Sequence, residues 1–549
     1  MKFCLIIFST LIVFASCSKN ELEITPTDKL SDATVWEDSA TANLFLNDIY
    51  FSLNAGPFPN VFTALPSEIS NDPLDDFTDN TTYGPSSGLA SAQYLDNGSN
   101  NPTTSMFQDT WTKMYANIRK CNLFIQKVTG TDFPDGTKNR MIAQARFLRV
   151  HFYRTLIDLY GGVPLITKVL DNNTGDDIFF ARNTYEECVA FVQTECAEAS
   201  NDLPLTVTGK NIGRATKGAA LALKGEAELY AGKWPEAAAT NKKIIDEMGN
   251  GKVYDLFPDY VGLFYANNEN NKEVLFDIQF APTIKSKSIN QYWGVVDVAK
   301  GAGWGSCDPT QNLVDDYEFT DGKTAAGGSV LYDPSKPYLN SEKRFYASII
   351  YDGCTWRGKT VFTRLGIANN ANQINLTGIT GNAGRTGYFV RKLQDSTIGS
   401  TGGVLDGTNV IMLRYAEVLL NYAEAQNEAQ GPDASVYDAI NKVRARAGQP
   451  ALPPGLGQTD MRNRIRHERR IEFAFEGKRF YDIMRWKTAA QVFSQPIYGM
   501  KITASGNTLN YEKVVVRNVK FDAAKGYLQP VPQYARDKNP KLTQNPGFN

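Results

Sequence analysis

The chain has 549 residues, of which 42% are hydrophobic and 21% are charged, so it is too apolar for a disordered chain and long enough for two to four domains or one helical array. Its 57 basic and 59 acidic residues leave a net charge of −2, which argues against a nucleic-acid partner. Beyond the first residues, no stretch approaches the roughly eighteen apolar residues of a membrane-spanning helix.

The first seventeen residues have the pattern of a bacterial export signal. Lys2 supplies the charged start, residues 5–15 form an apolar run too short to span a bilayer, and small residues precede Cys17. We therefore predict that residues 1–16 are a lipoprotein signal peptide and that Cys17 is the lipidated residue. Acyl chains would anchor such a protein without a transmembrane helix. The alternative is an ordinary secretory peptide in which Cys17 is incidental.

Helical periodicity recurs along residues 17–549, which we expect to form a single domain. Apolar residues spaced three and four apart predict helices at 111–128, 141–159, 184–201, 215–231, 235–247, 412–423, 435–447 and 461–475. Within residues 215–247, two helices meet at small side chains in about thirty-four residues, which is typical of a tetratricopeptide repeat. One such pair cannot bury its apolar faces alone, so neighbouring pairs are expected to stack against it.

Long stretches rich in Gly, Asn, Ser, Thr and Pro separate these helices. The main insertions lie at about 52–105 and 250–410, and short β-like runs such as residues 274–278 and 387–390 interrupt the second. Loops of this length are uncommon in compact domains unless they carry function. The predicted fold is therefore mainly α: a tetratricopeptide-like helical scaffold with a large, loop-rich ligand-binding face and a few short strands.

The catalytic motifs in the chain fail when their structural context is considered. Residues 84–88 match the spelling of a hydrolase nucleophile elbow but follow no apolar strand, and His467-Glu468 lacks the second His of a zinc helix. With two His residues and no Cys-x-x-Cys, a histidine- or cysteine-rich metal site is excluded. We predict no catalytic residue, no cofactor and no metal ligand.

An acidic loop leaves one metal question open. Asp72, Asp75, Asp76 and Asp79 could together collect a calcium ion through their oxygen atoms. The interpretation that we favour is an acidic loop solvated by water.

Residues 461–487 carry nine basic and four acidic side chains, a composition that could suggest a polyanion site. On a helix, however, Arg464, Glu468 and Glu472 fall in the same arc as the apolar residues, where a charge needs a partner. We therefore predict a buried Arg–Glu network that joins this helix to the scaffold, with the remaining Arg side chains in solvent.

Three tryptophans differ from the others in their surroundings. Trp293, Trp304 and Trp356 lie in polar loops that contain glycine, and Tyr292 precedes Trp293. Glycine lets the backbone turn sharply and can leave a large ring half exposed, and a flat ring face can stack on the C–H face of a sugar. The alternative, which is equally supported for any one Trp, is a minor core beneath the loops.

Several segments spread over nearly the whole chain resemble the RagB/SusD family of nutrient-binding outer-membrane lipoproteins. These segments are the lipobox at Cys17, the helix at 32–50, and residues 146–148, 160–165, 213–215, 413–417, 441–444, 469–480 and 545–547. The resemblance implies a tetratricopeptide-like scaffold, a non-enzymatic role, and a lid that delivers oligosaccharides to a SusC-like TonB-dependent transporter. It also implies that Tyr83, Tyr94 and residues 292–304 fall where ligand-contacting residues tend to occur.

The function expected from these features is that of a cell-surface glycan-binding lipoprotein, lipid-anchored in the outer membrane. Its predicted glycan-stacking residues are Trp293, Trp304, Tyr292, Trp356, Tyr83 and Tyr94. Three alternatives stay open: a member of the same family that binds peptides or another nutrient, a secreted glycoside hydrolase, and a purely protein-binding helical array. The last of these would not need aromatic residues flanked by glycine on its loops. The sequence does not identify the glycan.

Overall fold

The computed structural model describes residues 32–55, 74–83, 98–105, 107–171, 177–282, 284, 287, 289–296, 303–376, 384–398 and 406–548. The longer helices within these ranges are α2 (Ser39–Phe51), α3 (Gln108–Thr129), α4 (Asp135–Tyr160), α5 (Tyr185–Asp202), α6 (Lys217–Tyr230), α7 (Trp234–Glu247), α11 (Tyr415–Gln430), α12 (Ala434–Arg446), α13 (Gln458–Glu472) and α14 (Lys478–Arg485). The shorter ones are α1 (Asp32–Val35), α8 (Ile289–Tyr292), α9 (Gln311–Val314), α10 (Lys343–Ser348), α15 (Ala489–Val492) and α16 (Gln533–Lys538). The mainly helical fold that the sequence predicts is confirmed.

The scaffold helices stack in chain order, each against the next. Helix α3 packs on α4, α4 on α5, α5 on α6, and α6 on α7, as antiparallel neighbours in a tetratricopeptide-like array do. Between α6 and α7 the approach is close: a Cβ on Gly225 would lie 2.6 Å from the Asn241 side chain. The small residues at this contact therefore let the two helices meet, as the sequence pattern predicts.

The scaffold continues after an insertion of more than 160 residues. Helix α7 packs against α11, although residues 248–414 lie between them in the chain. Strands β2 (Val274–Ile278) and β8 (Val410–Arg414) pair antiparallel, with Val274 opposite Arg414, near the two ends of this insertion. Met412, which the periodicity places on a helix, lies instead in β8, because pairing with β2 keeps the chain extended until Tyr415.

The described strands all form two-stranded pairs. Besides β2 with β8, the pairs are β1 (Thr81–Tyr83) with β3 (Cys307–Pro309), β4 (Ile349–Ile350) with β7 (Phe389–Val390), β5 (Thr355–Trp356) with β6 (Lys359–Thr360), and β9 (Ile497–Ser505) with β10 (Thr508–Arg517). Beneath the loops, two small cores separate from the main helical core: one contains Trp293 and Tyr388, the other Trp356 and Phe389. No described helix has the length and apolar character needed to cross a bilayer.

A cluster of buried charges joins the scaffold to the inserted loops. We call it the buried charge network: its carboxylates are Glu273, Glu318, Glu342, Glu468, Glu472 and Glu476, and its cations are Arg344, Arg414, Arg444, Arg446 and Lys392. Glu468 at α13 accepts from Arg344 at 2.6 Å and from Arg444 at 2.8 Å. The predicted burial of Glu468 and Glu472 is confirmed.

Two details of that prediction are wrong. Arg464 keeps 32% of its side-chain surface exposed and pairs with Glu318 at the edge of the network. Arg469 and Arg470, which were expected in solvent, are buried: Arg469 pairs with Asp482, and Arg470 pairs with Asp79 at 2.8 Å. Asp79 lies far from Arg470 in the chain, and Arg469 also donates to Asn421 on α11 at 2.6 Å. A helical projection of one segment cannot show such partners.

The acidic loop is also buried rather than solvated. Asp75 accepts from the backbone N–H groups of Phe475 and Gly477, and Asp79 accepts from Arg479 at 2.9 Å. The Asp side chains therefore dock the turn at residues 74–80 onto the junction between α13 and α14. Asp72 lies outside the described residues.

Candidate functional site

The fold gathers the described members of the predicted aromatic set in the loop-rich region. Strand β1 places Tyr83 opposite Cys307, three residues after Trp304. Trp356 shares a small core with Val295, which lies two residues after Trp293. Tyr94 lies outside the described residues.

The expectation of an accessible ring face is wrong for Trp293. Its side chain is 1% exposed and packs in the small core with Ile289 and Leu313. Glycine has a different role here from the one expected: a Cβ on Gly303 would lie 2.0 Å from the backbone oxygen of Val295. The absence of a side chain at residue 303 therefore lets the backbone there touch that of Val295, two residues after Trp293 in the chain.

Trp356 is buried as well, with 2% of its surface exposed, so its expected open face is also wrong. The guanidinium groups of Arg357 and Arg391 lie over its ring at 5.4 and 5.3 Å from the centroid. A cation over the ring face is favourable and occupies the face that a sugar would need. Trp356 therefore acts as a packing residue in this structure.

Tyr83 has only 9% of its surface exposed. The guanidinium groups of Arg385 and Arg517 lie over its ring at 5.2 and 5.6 Å. Its ring face is therefore covered in the same way as that of Trp356.

Tyr292 and Trp304 remain as a half-buried pair, which we call the aromatic patch. Their ring centroids lie 4.8 Å apart with an interplanar angle of 66°, an edge-to-face arrangement. Backbone hydrogen bonds hold the two segments together: the Trp304 N–H donates to the Gln291 carbonyl at 2.8 Å, and the Ser306 N–H donates to the Tyr292 carbonyl at 2.9 Å. The patch is therefore a preorganised aromatic pair, and each of its two residues is partly exposed to solvent.

A buried amide on the same short helix, α8, connects the patch to neighbouring loops. Asn290, two residues before Tyr292, donates to Asp406 at 3.0 Å and accepts from Arg357 at 3.3 Å. Arg357 also donates to the Asp395 carbonyl at 3.1 Å. Its burial lowers the pKa of this guanidinium from its usual value, and the group stays charged at neutral pH. Arg357 thus fixes α8 against the loop after β5.

Two carboxyls near β1 and β3 are also buried. Burial raises the pKa of Asp76 to about 7, and burial raises the pKa of Asp308 well above its usual range. Asp308 accepts from the Arg385 backbone N–H at 2.7 Å, and neither carboxyl is exposed. Both act as structural groups and cannot meet a polymer in solvent. Among the described residues, no three His, Cys, Asp or Glu side chains cluster as metal ligands would.

Sequence reasoning missed the arginines that cover the aromatic rings. Arg357 directly follows Trp356, so its position could have been suspected from the sequence, whereas Arg385, Arg391 and Arg517 are brought in by loops and strands from elsewhere. They decide which rings stay accessible.

Comparison with known proteins adds independent information on the fold and the family. The model described as the SusD family matches residues 266–548, and one described as "Starch-binding associating with outer membrane" matches residues 59–226. The chain is 27% identical to SusD-like protein P2 of Formosa agariphila, with 98% of each chain covered. It is 23% identical to a SusD-like protein of Bacteroides ovatus, covering 88% of this chain and 82% of that one.

Solved structures agree with these sequence matches. A SusD-like protein from Bacteroides fragilis superposes with a TM-score of 0.80 at 29% identity, covering 95% of this chain and all (100%) of the other. A SusD-like carbohydrate-binding protein of the same organism has a TM-score of 0.79 at 26% identity, covering 93% and 100%. A laminarin-binding SusD-like protein has a TM-score of 0.70 at 23% identity, covering 93% and 99%, which supports the shared fold.

Proposed function

Because the chain belongs to the SusD family, whose model matches more than half of it, we propose that it is a non-enzymatic, glycan-binding lipoprotein of the outer membrane. In this proposal it captures an oligosaccharide at the cell surface and delivers it to a SusC-like TonB-dependent transporter. Similar proteins support both the carbohydrate ligand and the membrane location. One of them is a carbohydrate-binding protein, and one matching family model describes association with the outer membrane. Cys17 supplies the lipid anchor.

The single observation that carries the glycan assignment is the aromatic patch. Tyr292 and Trp304 are the members of the predicted set that keep partly exposed rings within the described residues. Covering about 50 Å² of a ring and a similar area of a sugar removes roughly 100 Å² of apolar surface from water, or about 2–3 kcal/mol at 25 cal/mol/Å². Two or three such contacts, less the ordering cost of a flexible chain, correspond to millimolar to ten-micromolar dissociation constants. That affinity suits a protein that must release its cargo.

The glycosidase alternative requires two accessible carboxyls that flank the scissile bond. Asp308, four residues after Trp304 in the chain, is fully buried, and so is Asp76. Beside the aromatic patch, Asn290 on α8 binds the guanidinium of Arg357 and the carboxylate of Asp406, and this carboxylate is buried too, at 2% exposed. This environment favours binding over hydrolysis.

The test is a panel of polysaccharides in native affinity gels, followed by isothermal titration with the fragment that retards migration. Trp304→Ala is expected to weaken binding at least about tenfold, which corresponds to about 1.4 kcal/mol. Tyr332→Ala removes a tyrosine that is 42% exposed elsewhere and should leave the affinity unchanged. Product analysis of the same mixtures should reveal no shortened chains.

Three outcomes would contradict the proposal. Release of reducing ends by the wild-type protein would make it a hydrolase. Retention of full affinity in both Trp304→Ala and Tyr292→Ala would remove the aromatic patch as the binding site. Capture of a peptide library, with no binding to any saccharide in the panel, would instead support the peptide alternative.

A further inference from the structure

A pocket of about 250 Å³ lies outside the aromatic patch. It is bordered by the last turns of α2, the turn at residues 210–214 and the end of β2 with the segment that follows it. Its volume is below the roughly 300–1,000 Å³ of pockets for drug-sized ligands, so it suits a ligand of about one ring. Nothing in the buried charge network or the aromatic patch uses these residues.

Positive charge in this pocket has no carboxylate partner. Arg214 donates to the amide oxygens of Asn47 at 2.6 Å and of Gln144 at 3.1 Å, and its guanidinium lies over the Tyr50 ring at 5.4 Å. All of these partners are neutral, and within the described part of the chain Arg214 forms no ion pair. Lys210, which is exposed at the same pocket, also forms none with a described residue.

The carboxyl that lines the pocket does not neutralise these cations. Asp277 accepts from the amide nitrogens of Gln279 at 2.6 Å and of Asn409 at 3.1 Å. Its burial raises the pKa of the carboxyl to about 6, despite these two hydrogen bonds. At neutral pH this carboxyl is still mostly ionised, but two cations face one carboxylate, so the pocket carries a net positive charge.

Apolar side chains form the rim. Phe51 is 50% exposed, Ile212 is 43% exposed and Ile284 is 77% exposed, and all three line the same pocket. Large apolar residues exposed one at a time need no explanation, but three around a charged pocket indicate a surface that a ligand covers. A ring with one apolar face and one anionic substituent would match both the rim and the cations.

We propose that this pocket binds a carboxylate-bearing sugar, a uronic acid residue of the captured glycan. The carboxylate would pair with Arg214 and Lys210, the C–H face of the ring would cover Phe51 and Ile284, and Gln279 would bind a hydroxyl. A guanidinium favours a carboxylate because its N–H donors match the two oxygens. This inference rests on the proposed function in one respect: it takes the ligand to be a saccharide.

Methyl NMR of protein labelled at isoleucine tests the pocket directly, because two of its rim residues are isoleucines. Titration with methyl glucuronoside is expected to shift the Ile212 and Ile284 signals, while Ile178, 37% exposed elsewhere, stays in place. Methyl glucoside, which lacks the carboxylate, should bind at least tenfold more weakly. Methyl glucoside 6-sulfate distinguishes a carboxylate site from a general anion site: equal binding of the sulfate overturns the uronate assignment.

Variants separate the pocket from the aromatic patch. Arg214→Gln and Lys210→Gln should each weaken uronate binding at least fivefold, whereas Lys538→Gln removes an exposed charge elsewhere and should not. Lys210 makes no described ion pair, so loss of fold is not expected to obscure its result. If the uronate binds without moving the two rim methyls, or if Trp304→Ala alone abolishes its binding, the pocket is not the site.

The two proposals can fail separately. If glycans bind at the aromatic patch but the uronate shifts no rim methyl, the pocket inference is wrong and the proposed function stands. If no saccharide binds anywhere on the chain, both are wrong. If the uronate binds at the rim and no glycan responds to Trp304→Ala, the aromatic patch is wrong and the pocket stands.

Discussion

Replacement of Glu472 tests how the scaffold and the loop-rich face are held together. Glu472 is fully buried at the end of α13 and accepts from Arg414 at 2.6 Å, from Arg344 at 3.1 Å and from Arg446. Its three cationic neighbours hold the pKa of this carboxyl far below its usual range despite its burial. Glu472→Gln keeps the shape of the side chain and removes its charge.

The magnitude follows from what the substitution leaves behind. Each arginine retains another carboxylate: Arg344 keeps Glu342 and Glu468, Arg414 keeps Glu273 and Glu476, and Arg446 keeps Glu273. Counting Arg464 at its edge, the network has six cations for its six carboxylates, so Glu472→Gln leaves one cation uncompensated. Breaking a buried pair in this way costs about 3–5 kcal/mol. With an unfolding entropy of roughly 2.1 cal/mol/K per residue, the melting temperature of a 549-residue chain falls by about 1 °C for each kcal/mol of unfolding free energy that is lost.

The melting temperature of Glu472→Gln at neutral pH should therefore be about 3–5 °C below that of the wild type. The matched control is Glu512→Gln. Glu512 is 60% exposed and pairs with Lys501 on the β9–β10 hairpin, so its replacement should change the free energy of unfolding by less than about 1 kcal/mol. Because the folded-state pKa of Glu472 is depressed, its contribution is present above the unfolded pKa of about 4.3 and is lost as the pH falls below it. The difference between wild type and variant should therefore shrink in acid. An unchanged melting temperature with abolished glycan binding would refute the structural reading and make this glutamate part of the binding site.

Three further predictions concern the packing of Trp293, the lipid anchor at Cys17 and the buried carboxyl of Asp76. Trp293→Ala should cost about 3–5 kcal/mol of unfolding free energy through lost core packing, and a melt as high as that of Trp304→Ala would contradict its buried position. Cys17→Ala should release a folded protein from the outer membrane, and continued palmitate labelling of that variant would refute the lipobox. Asp76→Asn should raise the melting temperature at pH 8. Burial raises the pKa of Asp76 to about 7 in the folded protein, against about 3.9 in the unfolded chain. The stability that the protonated carboxyl contributes is therefore lost as the pH rises between these two values, whereas Asn stays neutral. The gain should vanish near pH 4, and melts at the two pH values check the sign.

The helical scaffold could be predicted because its information is local. Apolar spacing and the small residues between α6 and α7 both depend on neighbours within a few turns. The same local reasoning predicted buried partners for Glu468 and Glu472, because charges in an apolar helical arc cannot stay unpaired.

Tertiary structure decided which aromatic rings are open to solvent. Trp293, Trp304 and Trp356 have similar sequence surroundings, yet Arg391 from a distant segment lies over Trp356, and Trp293 is buried in a small core with Leu313. The identity of the arginines that pair with Glu472 and the burial of the acidic loop depend on the same long-range contacts. The sequence by itself determined the helices, the family resemblance and the class of candidate residue, because these depend on order along the chain. Accessibility and pairing were decided only by the fold, because they depend on which distant segments meet in space.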